Sequence, residues 1–254
     1  MGDKSGIEWT DATWNPVTGC TAISAGCDHC YAETLAHRLQ RMGHYKYRNG
    51  FEVTLHPQAL DQPKRWRTPR RIFVNSMSDL FHARVPKSFV LQVWEVMEGC
   101  PHHTFQILTK RPERMARFTA DHPAPPNVWL GTSVEDDRVI QRIDRLRACR
   151  ASMRFLSCEP LLGPLSNLDL AGIHWVITGG ESGEGARPCR SEWVREIRDQ
   201  CLIAGVAFFH KQWGGRTPKS GGRLLDGRTW DQFPTVLDRP EQCPALDLAA
   251  YWAG

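Results

Sequence analysis

Short apolar runs, rich in β-branched and aromatic residues, recur along the chain and are separated by longer amphipathic stretches. Each run is almost continuously apolar, which is typical of strands that are buried on both faces of a parallel sheet. Two weaker runs, residues 12–17 and 51–55, come first. The clearest predicted strands follow them and span residues 72–75, 104–108, 128–131, 153–156, 174–177 and 206–209.

The stretches between the runs have the period of amphipathic helices. Residues 86–98, 135–148 and 192–204 each place apolar side chains on one face and polar side chains on the other. Ser191 suits the N-cap of the last of these helices, and Gly205 suits the position after its final turn. Strands that alternate with helices predict βαβ units, so we expect a parallel β/α barrel, TIM-like and partial or complete, of six to eight strands.

The last part of the chain has a different pattern. Residues 214–222 are rich in Gly, Lys and Arg, and residues 223–230 are centred on an Asp-Gly pair. An Asp-Gly pair between two short runs predicts a hairpin with a type I′ turn. We therefore expect a barrel domain over residues 1–213 and a C-terminal hairpin and tail over residues 214–254.

Composition narrows the class of protein. A chain of 254 residues fits one large domain or two small ones. No apolar stretch reaches the roughly 18 residues that a membrane span needs, and the N-terminal residues do not form a signal peptide. We expect a cytoplasmic monomer that does not bind membranes. Nine cysteines argue against a disulfide framework in such a location, and a net charge of +4 favours a polyanionic partner only weakly.

Three of the cysteines lie close together in the segment GCTAISAGCDHCY, residues 19–31. Cys27 and Cys30 form a C-x2-C pair, and Cys20 lies seven residues upstream of Cys27. Three thiolates on a four-iron cluster leave one iron without a protein ligand, so a substrate or cosubstrate can bind that iron. The segment follows the first predicted strand, which places it at the C-terminal face of a barrel, where active sites form.

Two other interpretations of the three cysteines remain open at this point. A structural zinc ion needs four ligands, and His37, His44 or another cysteine is available as the fourth. Three buried cysteines without any metal are the other alternative, because free cysteine behaves as a small apolar residue.

The cysteine segment resembles that of the radical S-adenosylmethionine (SAM) superfamily. Members usually carry C-x3-C-x2-C with an aromatic residue before the third cysteine, whereas this chain has C-x6-C-x2-C with His29 in that position. Over residues 7–233 the chain is also similar to a phage-associated, radical-SAM-like family of unassigned function. The segments that carry this similarity are TWNPVTGC, CDHCYA, NSMSDLF, LTKRP, GTSVE, SCEPLLG, TGGESG and KQWGG.

The resemblance implies an enzyme with a [4Fe–4S] cluster and SAM as cofactors. Cys20, Cys27 and Cys30 would hold the cluster, and an external electron donor would supply one electron for the reductive cleavage of SAM to a carbon radical. The phage context and the weakly basic charge favour a nucleic acid or nucleotide as the substrate, which is otherwise unknown. Two alternatives stay open: transfer of the aminocarboxypropyl group of SAM, and a zinc-stabilised nucleic-acid-binding module.

Polar residues follow most of the predicted strands, and the carboxyl ends of parallel strands meet on one rim of a barrel. We therefore expect these residues to share a cavity with the cysteine segment. The predicted cofactor-binding residues are His29, Tyr31, Asn75, Ser78, Asp79, Lys110, Ser133, Glu135 and Glu159.

The position of the run at residues 51–55 decides the expected roles of these residues. If it lies outside the barrel, residues 75–79 end the second strand and are candidates for the amino group of SAM. By resemblance to the superfamily, Ser133 and Glu135 would then end the fourth strand and contact the ribose. Lys110 is the nearest cation for the carboxylate of SAM, while His29 and Tyr31 are predicted to stack on its adenine.

Cys158 is the predicted catalytic residue. It follows a buried strand and precedes Glu159-Pro160, so we expect its thiol at the barrel mouth. A thiol close to a carbon radical can donate a hydrogen atom, a role that occurs in the radical SAM superfamily. The alternative is a small buried residue that closes the strand.

Overall fold

The protein is described by a computed structural model of residues 5–217 and 219–235. Within these ranges the strands, in chain order, are β1 (Ala12–Trp14), β2 (Val17–Thr18), β3 (Thr54–Leu55), β4 (Arg71–Val74), β5 (Thr104–Thr109), β6 (Val128–Ser133), β7 (Met153–Cys158), β8 (Trp175–Gly179) and β9 (Ala207–Gln212). Seven of them form one parallel sheet in the order β1-β4-β5-β6-β7-β8-β9. The predicted parallel β/α architecture is therefore confirmed.

The remaining two strands form a small antiparallel pair, in which Val17 faces Leu55. The weakly predicted strand at residues 51–55 thus lies outside the barrel sheet. Consequently β4 is the second strand of the sheet, β6 the fourth and β8 the sixth.

The helices of the described residues are α1 (Tyr31–Arg41), α2 (Lys87–Glu98), α3 (Pro112–Asp121), α4 (Arg142–Arg147) and α5 (Ser191–Ala204). The left-handed backbone of Gly205, with φ of 67°, ends α5 as expected. The helix predicted over residues 135–148 is wrong in extent, because only α4 and a preceding 3-10 turn form. The side chain of Asp136 caps that turn by accepting a hydrogen bond from the Arg138 amide.

Trp9 shows that the sheet is curled into a partial barrel. Its ring centroid lies 4.7 Å from that of Phe73 on β4 and 6.2 Å from that of Trp175 on β8. In a flat sheet these strands would be about 19 Å apart, at roughly 4.8 Å per strand. One indole can touch both only if the sheet wraps around it, and β1 and β9 are the edge strands of a seven-stranded half-barrel.

Side chains alternate between the two faces of this sheet. Phe155 packs inside the barrel with Trp9, whereas the next residue, Leu156, joins the outer core between the sheet and the helices. This alternation decides which residues at a strand end face the barrel interior.

A short hairpin follows β9, as the sequence predicts. Leu225 and Arg228 form an antiparallel bridge, and Asp226 and Gly227 between them have φ values of 52° and 77°. Positive φ at both central positions is what a type I′ turn requires. The predicted tail lies mostly outside the described residues, and the boundary at residue 213 stays a prediction.

None of the described helices is long and apolar enough to cross a membrane.

Candidate functional site

A cavity of about 390 Å³ opens at the carboxyl ends of the parallel strands. Its floor is apolar and is formed by Ile7, Trp9, Phe73 and Leu108. Its walls come from the segment that carries the three cysteines, residues 20–30, which we call the cysteine loop, and from the polar strand ends. The expected shared cavity is therefore present.

Cys20, Cys27 and Cys30 all line this cavity and are half-buried. Cys30 is the N-cap residue of α1, so its sulfur lies beside the free backbone N–H groups of the first turn, among them those of Ala32 and Glu33. Burial raises the pKa of the Cys30 thiol, and these two N–H groups oppose that rise. A helix N-terminus favours the thiolate form that binds iron.

The thiols do not surround a point that would suit a single metal ion. Among the described residues, no group of three or more His, Cys, Asp or Glu side chains could hold one ion. The two histidines considered as a fourth zinc ligand have other contacts: His37 lies 4.0 Å from Glu33, and His44 accepts a hydrogen bond from the Lys46 amide.

Asp79, which follows the second strand, holds the first part of the cysteine loop. It accepts hydrogen bonds from the Thr109 hydroxyl at 2.7 Å and from Arg111 at 2.9 Å. Arg111 in turn donates to the Thr21 carbonyl at 3.0 Å and to the sulfur of Cys20 at 3.5 Å. Asp79 lines the cavity, but its carboxylate already has several donors.

Glu135, which follows the fourth strand, holds the middle of the cysteine loop. Its carboxylate lies 3.2 Å from Lys110 Nζ and 2.8 Å from Arg142 Nη1, and it accepts a hydrogen bond from the Ser24 hydroxyl at 2.9 Å. A Cβ at Gly26 would lie only 2.4 Å from Glu135 Oε1, so the loop packs directly on this carboxylate.

The placement expected for Glu135 is wrong, because it does not line the cavity. The side chain lies behind the cysteine loop and is 1% exposed. Two cations and a hydroxyl surround it there, so it faces protein groups rather than a bound ligand.

Glu181, which follows the sixth strand, holds the last part of the loop. Its carboxylate lies 2.9 Å from His29 Nδ1 and 2.6 Å from Arg187 Nη2. The same Arg187 nitrogen donates to the Ala25 carbonyl at 2.8 Å. Burial alone would raise the pKa of Glu181, but the hydrogen bonds from Arg187 and His29 more than offset it, and the pKa is lowered.

Three carboxylates from alternate strand ends thus support three successive parts of one loop. The sequence analysis missed their partners Ser24, Arg142 and Arg187. A usable signal exists for the two arginines, since each follows its acid by six or seven residues, between the end of a strand and the first turn of the next α-helix.

The other predicted cofactor-binding residues line the cavity: His29, Tyr31, Asn75, Ser78, Lys110, Ser133 and Glu159. Glu159 lies 2.9 Å from Lys211, and the Ser78 hydroxyl donates to the Val17 carbonyl at 2.9 Å. From the glycine-rich segment after β9, Lys219 reaches the cavity and lies 3.0 Å from Glu8. The contribution of that segment was not predicted.

Two buried donors in the cavity lack a partner among the described residues. Asn75 is 2% exposed, and its Oδ1 accepts a hydrogen bond from the Val17 amide while its Nδ2 has none. The indole Nε1 of Trp9 on the cavity floor is also without an acceptor. Because a buried donor left unpaired costs about 1–3 kcal/mol, both atoms are suited to a bound ligand or water.

The expectation that the Cys158 thiol faces the barrel mouth is wrong. Cys158 is fully buried in the outer core, which also contains Cys201 of α5. Ser157 lines the cavity, so strand alternation turns Cys158 to the opposite face. Burial raises the pKa of its thiol well above the ordinary value.

Comparison with known families adds one assignment. A family model described as "Protein of unknown function (DUF5131)" matches residues 4–234. The chain belongs to the DUF5131 family. The similarity to a phage-associated, radical-SAM-like family stays a prediction. No curated protein matches this DUF5131 member.

Similar solved structures include several of spore photoproduct lyase. The one titled as complexed with dinucleoside spore photoproduct is 12% identical, with a TM-score of 0.47, and the match covers 79% of this chain and 63% of that one. A cysteine-to-serine mutant of the same lyase is 13% identical, with a TM-score of 0.48, covering 71% and 58%. The chain thus spans about three fifths of these lyases, and at these values no function is taken from them.

Proposed function

We propose that this protein is a radical SAM enzyme whose [4Fe–4S] cluster is held by Cys20, Cys27 and Cys30. One observation carries the proposal: the three thiols of one short loop line a single cavity at the carboxyl ends of a parallel half-barrel. Three thiolates leave one iron of such a cluster open, and that iron would face a cavity with unpaired donors.

The residues present fit this cofactor. Thiolates are the usual ligands of iron–sulfur clusters; Arg111 donates a hydrogen bond to the sulfur of Cys20, and the N-terminus of α1 favours the thiolate form of Cys30. When bound, the cluster would supply the single electron for the reductive cleavage of SAM. The chain itself positions the ligands through its three carboxylates and limits water access with the apolar floor of the cavity.

A structural zinc ion fits the same residues poorly. It would need four ligands around one point, whereas the described residues offer no group of three or more for a single ion. A cluster needs only the three thiolates of the cysteine loop, because its fourth iron can stay open to another ligand.

The substrate is proposed only as a class, a nucleic acid or nucleotide, and the electron donor as an external reductant. The described residues of the cavity do not select one reaction of SAM over another. Transfer of the aminocarboxypropyl group therefore remains the alternative reaction.

The function is tested by reconstituting the protein anaerobically with iron and sulfide, then adding SAM and dithionite. We expect about four irons per chain and the release of 5′-deoxyadenosine and methionine, measured by mass spectrometry. Release of methylthioadenosine would indicate aminocarboxypropyl transfer instead. A loaded protein that consumes no SAM, or a chain that binds zinc and no iron, would contradict the proposal.

Asn75 provides a test of where SAM binds. In Asn75→Asp the unpaired Nδ2 donor becomes a carboxylate oxygen, while the acceptor for the Val17 amide is kept. Asp also tolerates the left-handed backbone of this position, with φ of 60°, so the fold should persist. Because Nδ2 can only donate, it suits an oxygen of SAM rather than its amino group, and we expect SAM affinity to fall at least tenfold, about 1.4 kcal/mol, as measured by calorimetry on the cluster-loaded protein.

The matched control for this variant is Ser78→Ala. The Ser78 hydroxyl also lines the cavity, but it donates to a backbone carbonyl of the protein. Its removal should change SAM affinity much less. If Asn75→Asp and the unmodified protein bound SAM with equal affinity, Asn75 would not be a SAM-binding residue.

A further inference from the structure

Arg111 connects the cysteine loop to the barrel through a fork of hydrogen bonds. Its Nη1 lies 2.9 Å from Asp79 Oδ2 and 3.5 Å from Cys20 Sγ, and its Nη2 lies 3.0 Å from the Thr21 carbonyl oxygen. The side chain is 15% exposed. Because the fork is planar and held on two sides, the N–H group that faces the sulfur has little freedom to turn away.

A hydrogen bond to a cysteine sulfur affects more than the position of that cysteine. When Cys20 is an iron ligand, reduction adds negative charge to the cluster that it binds. A cation and an N–H donor beside the ligand stabilise the reduced state more than the oxidised state, and so they raise the reduction potential. The carboxylate of Asp79 acts in the opposite direction, because it places a negative charge near the same sulfur.

We propose that Arg111 is a positioning residue that fixes Cys20 and raises the reduction potential of the bound cluster. The inference rests on the proposed function and adds to it a role for the Asp79–Arg111 pair. In this role Arg111 makes the cluster easier to reduce. The electron comes from an external donor, which is oxidised by one electron. Neither residue touches the reacting atoms.

The experiment is a redox titration of the reconstituted protein without SAM, poised with dithionite and followed by the electron paramagnetic resonance signal of the reduced cluster. Arg111→Gln removes the charge and leaves Asp79 unopposed. We expect its midpoint potential to fall by at least about 59 mV, a tenfold change in the equilibrium constant of a one-electron couple. Arg111→Lys keeps the charge and should show a smaller fall.

Two further variants distinguish an effect on the reduction potential from simple support of the cysteine loop. Arg187→Gln removes the other arginine that holds the loop, but Arg187 donates to the Ala25 carbonyl and to carboxylates rather than to Cys20. We expect this variant to load less iron, while the loaded fraction keeps a potential close to that of the unmodified protein. Asp79→Asn should shift the potential upward, opposite to Arg111→Gln.

The outcomes distinguish this inference from the proposed function. If the unmodified protein takes up no cluster, the proposed function fails and the inference fails with it. If the cluster loads but Arg111→Gln and Arg187→Gln have the same potential as the unmodified protein, Arg111 only supports the loop and the inference alone is overturned. A downward shift in Asp79→Asn would also overturn it, because the sign of the charge effect would be wrong.

Discussion

Substitution of Cys20, Cys27 or Cys30 by Ala should abolish iron uptake, while Cys189→Ala should leave it intact. Three thiolates hold the proposed cluster, and the loss of any one leaves a second iron without a protein ligand. We expect about four irons per chain in the unmodified protein and values near background in each of the three variants. Iron and sulfide assays after anaerobic reconstitution, with the visible absorption spectrum, measure this directly.

Cys189 is the matched control because it is half-buried like the three proposed ligands but lies elsewhere in the structure. Among the described free cysteines it is the other half-buried one, whereas Cys100, Cys149, Cys158 and Cys201 are buried. It does not line the cavity. Iron uptake that survives in Cys20→Ala would mean that the first cysteine is not a ligand. Uptake that also disappears in Cys189→Ala would mean that the assay reports folding rather than ligation.

The half-barrel was predictable because its strands are nearly continuous apolar runs. Such runs fit only a sheet that is covered on both faces, and their alternation with amphipathic stretches implies parallel connections. Parallel strands bring their carboxyl ends to one rim whatever the details of packing. The convergence of the cysteine loop with Asn75, Lys110 and Glu159 on one cavity follows from topology alone.

The same continuous runs do not show on which face of the sheet the Cys158 side chain lies. When nearly every residue of a strand is apolar or small, the sequence does not show which alternate set faces inward, and a shift by one residue reverses the outcome. In the structure Phe155 and Ser157 face the interior, so Leu156 and Cys158 face the helices. An alternation of polar and apolar residues would have given the direction, but a strand buried on both faces lacks it.

The roles of the buried acids were also beyond the sequence. A polar residue at a strand end binds a ligand or supports a neighbouring loop, and the two roles use the same residue types. For Glu135 the decision depends on Ser24, which lies 111 residues away along the chain, and on Arg142 on the following helix. Only the tertiary structure brings these groups together.

Glu135 therefore gives the second large effect that we expect. Its replacement by Gln should destabilise the protein and reduce iron loading, because the carboxylate is the shared ion-pair partner of two cations behind the cysteine loop. Arg142 is 7% exposed and Lys110 is 20% exposed, so both cations would lose their ion-pair partner and would be poorly hydrated. Removing one member of a buried ion pair costs about 3–5 kcal/mol. Chemical denaturation of the cluster-free protein measures this loss.

Asp121→Asn is the control for the loss of an ion pair. Its pair with Lys87 has a similar separation, 3.2 Å, but both side chains are more than half exposed. Water and salt screen such a pair, so its removal should change stability very little. If Glu135→Gln and Asp121→Asn lowered the free energy of unfolding by similar amounts, burial of the ion pair would not decide how much stability is lost.

Iron loading distinguishes support of the loop from direct binding of SAM. If Glu135 contacted SAM, Glu135→Gln would keep its cluster and lose SAM affinity. The structure instead places the carboxylate against Ser24 and directly beneath Gly26, between Cys20 and Cys27. We therefore expect the loop to lose its central support and the iron content to fall by at least half under conditions where the variant remains folded. Full iron loading combined with weakened SAM binding would restore Glu135 as a ligand of SAM.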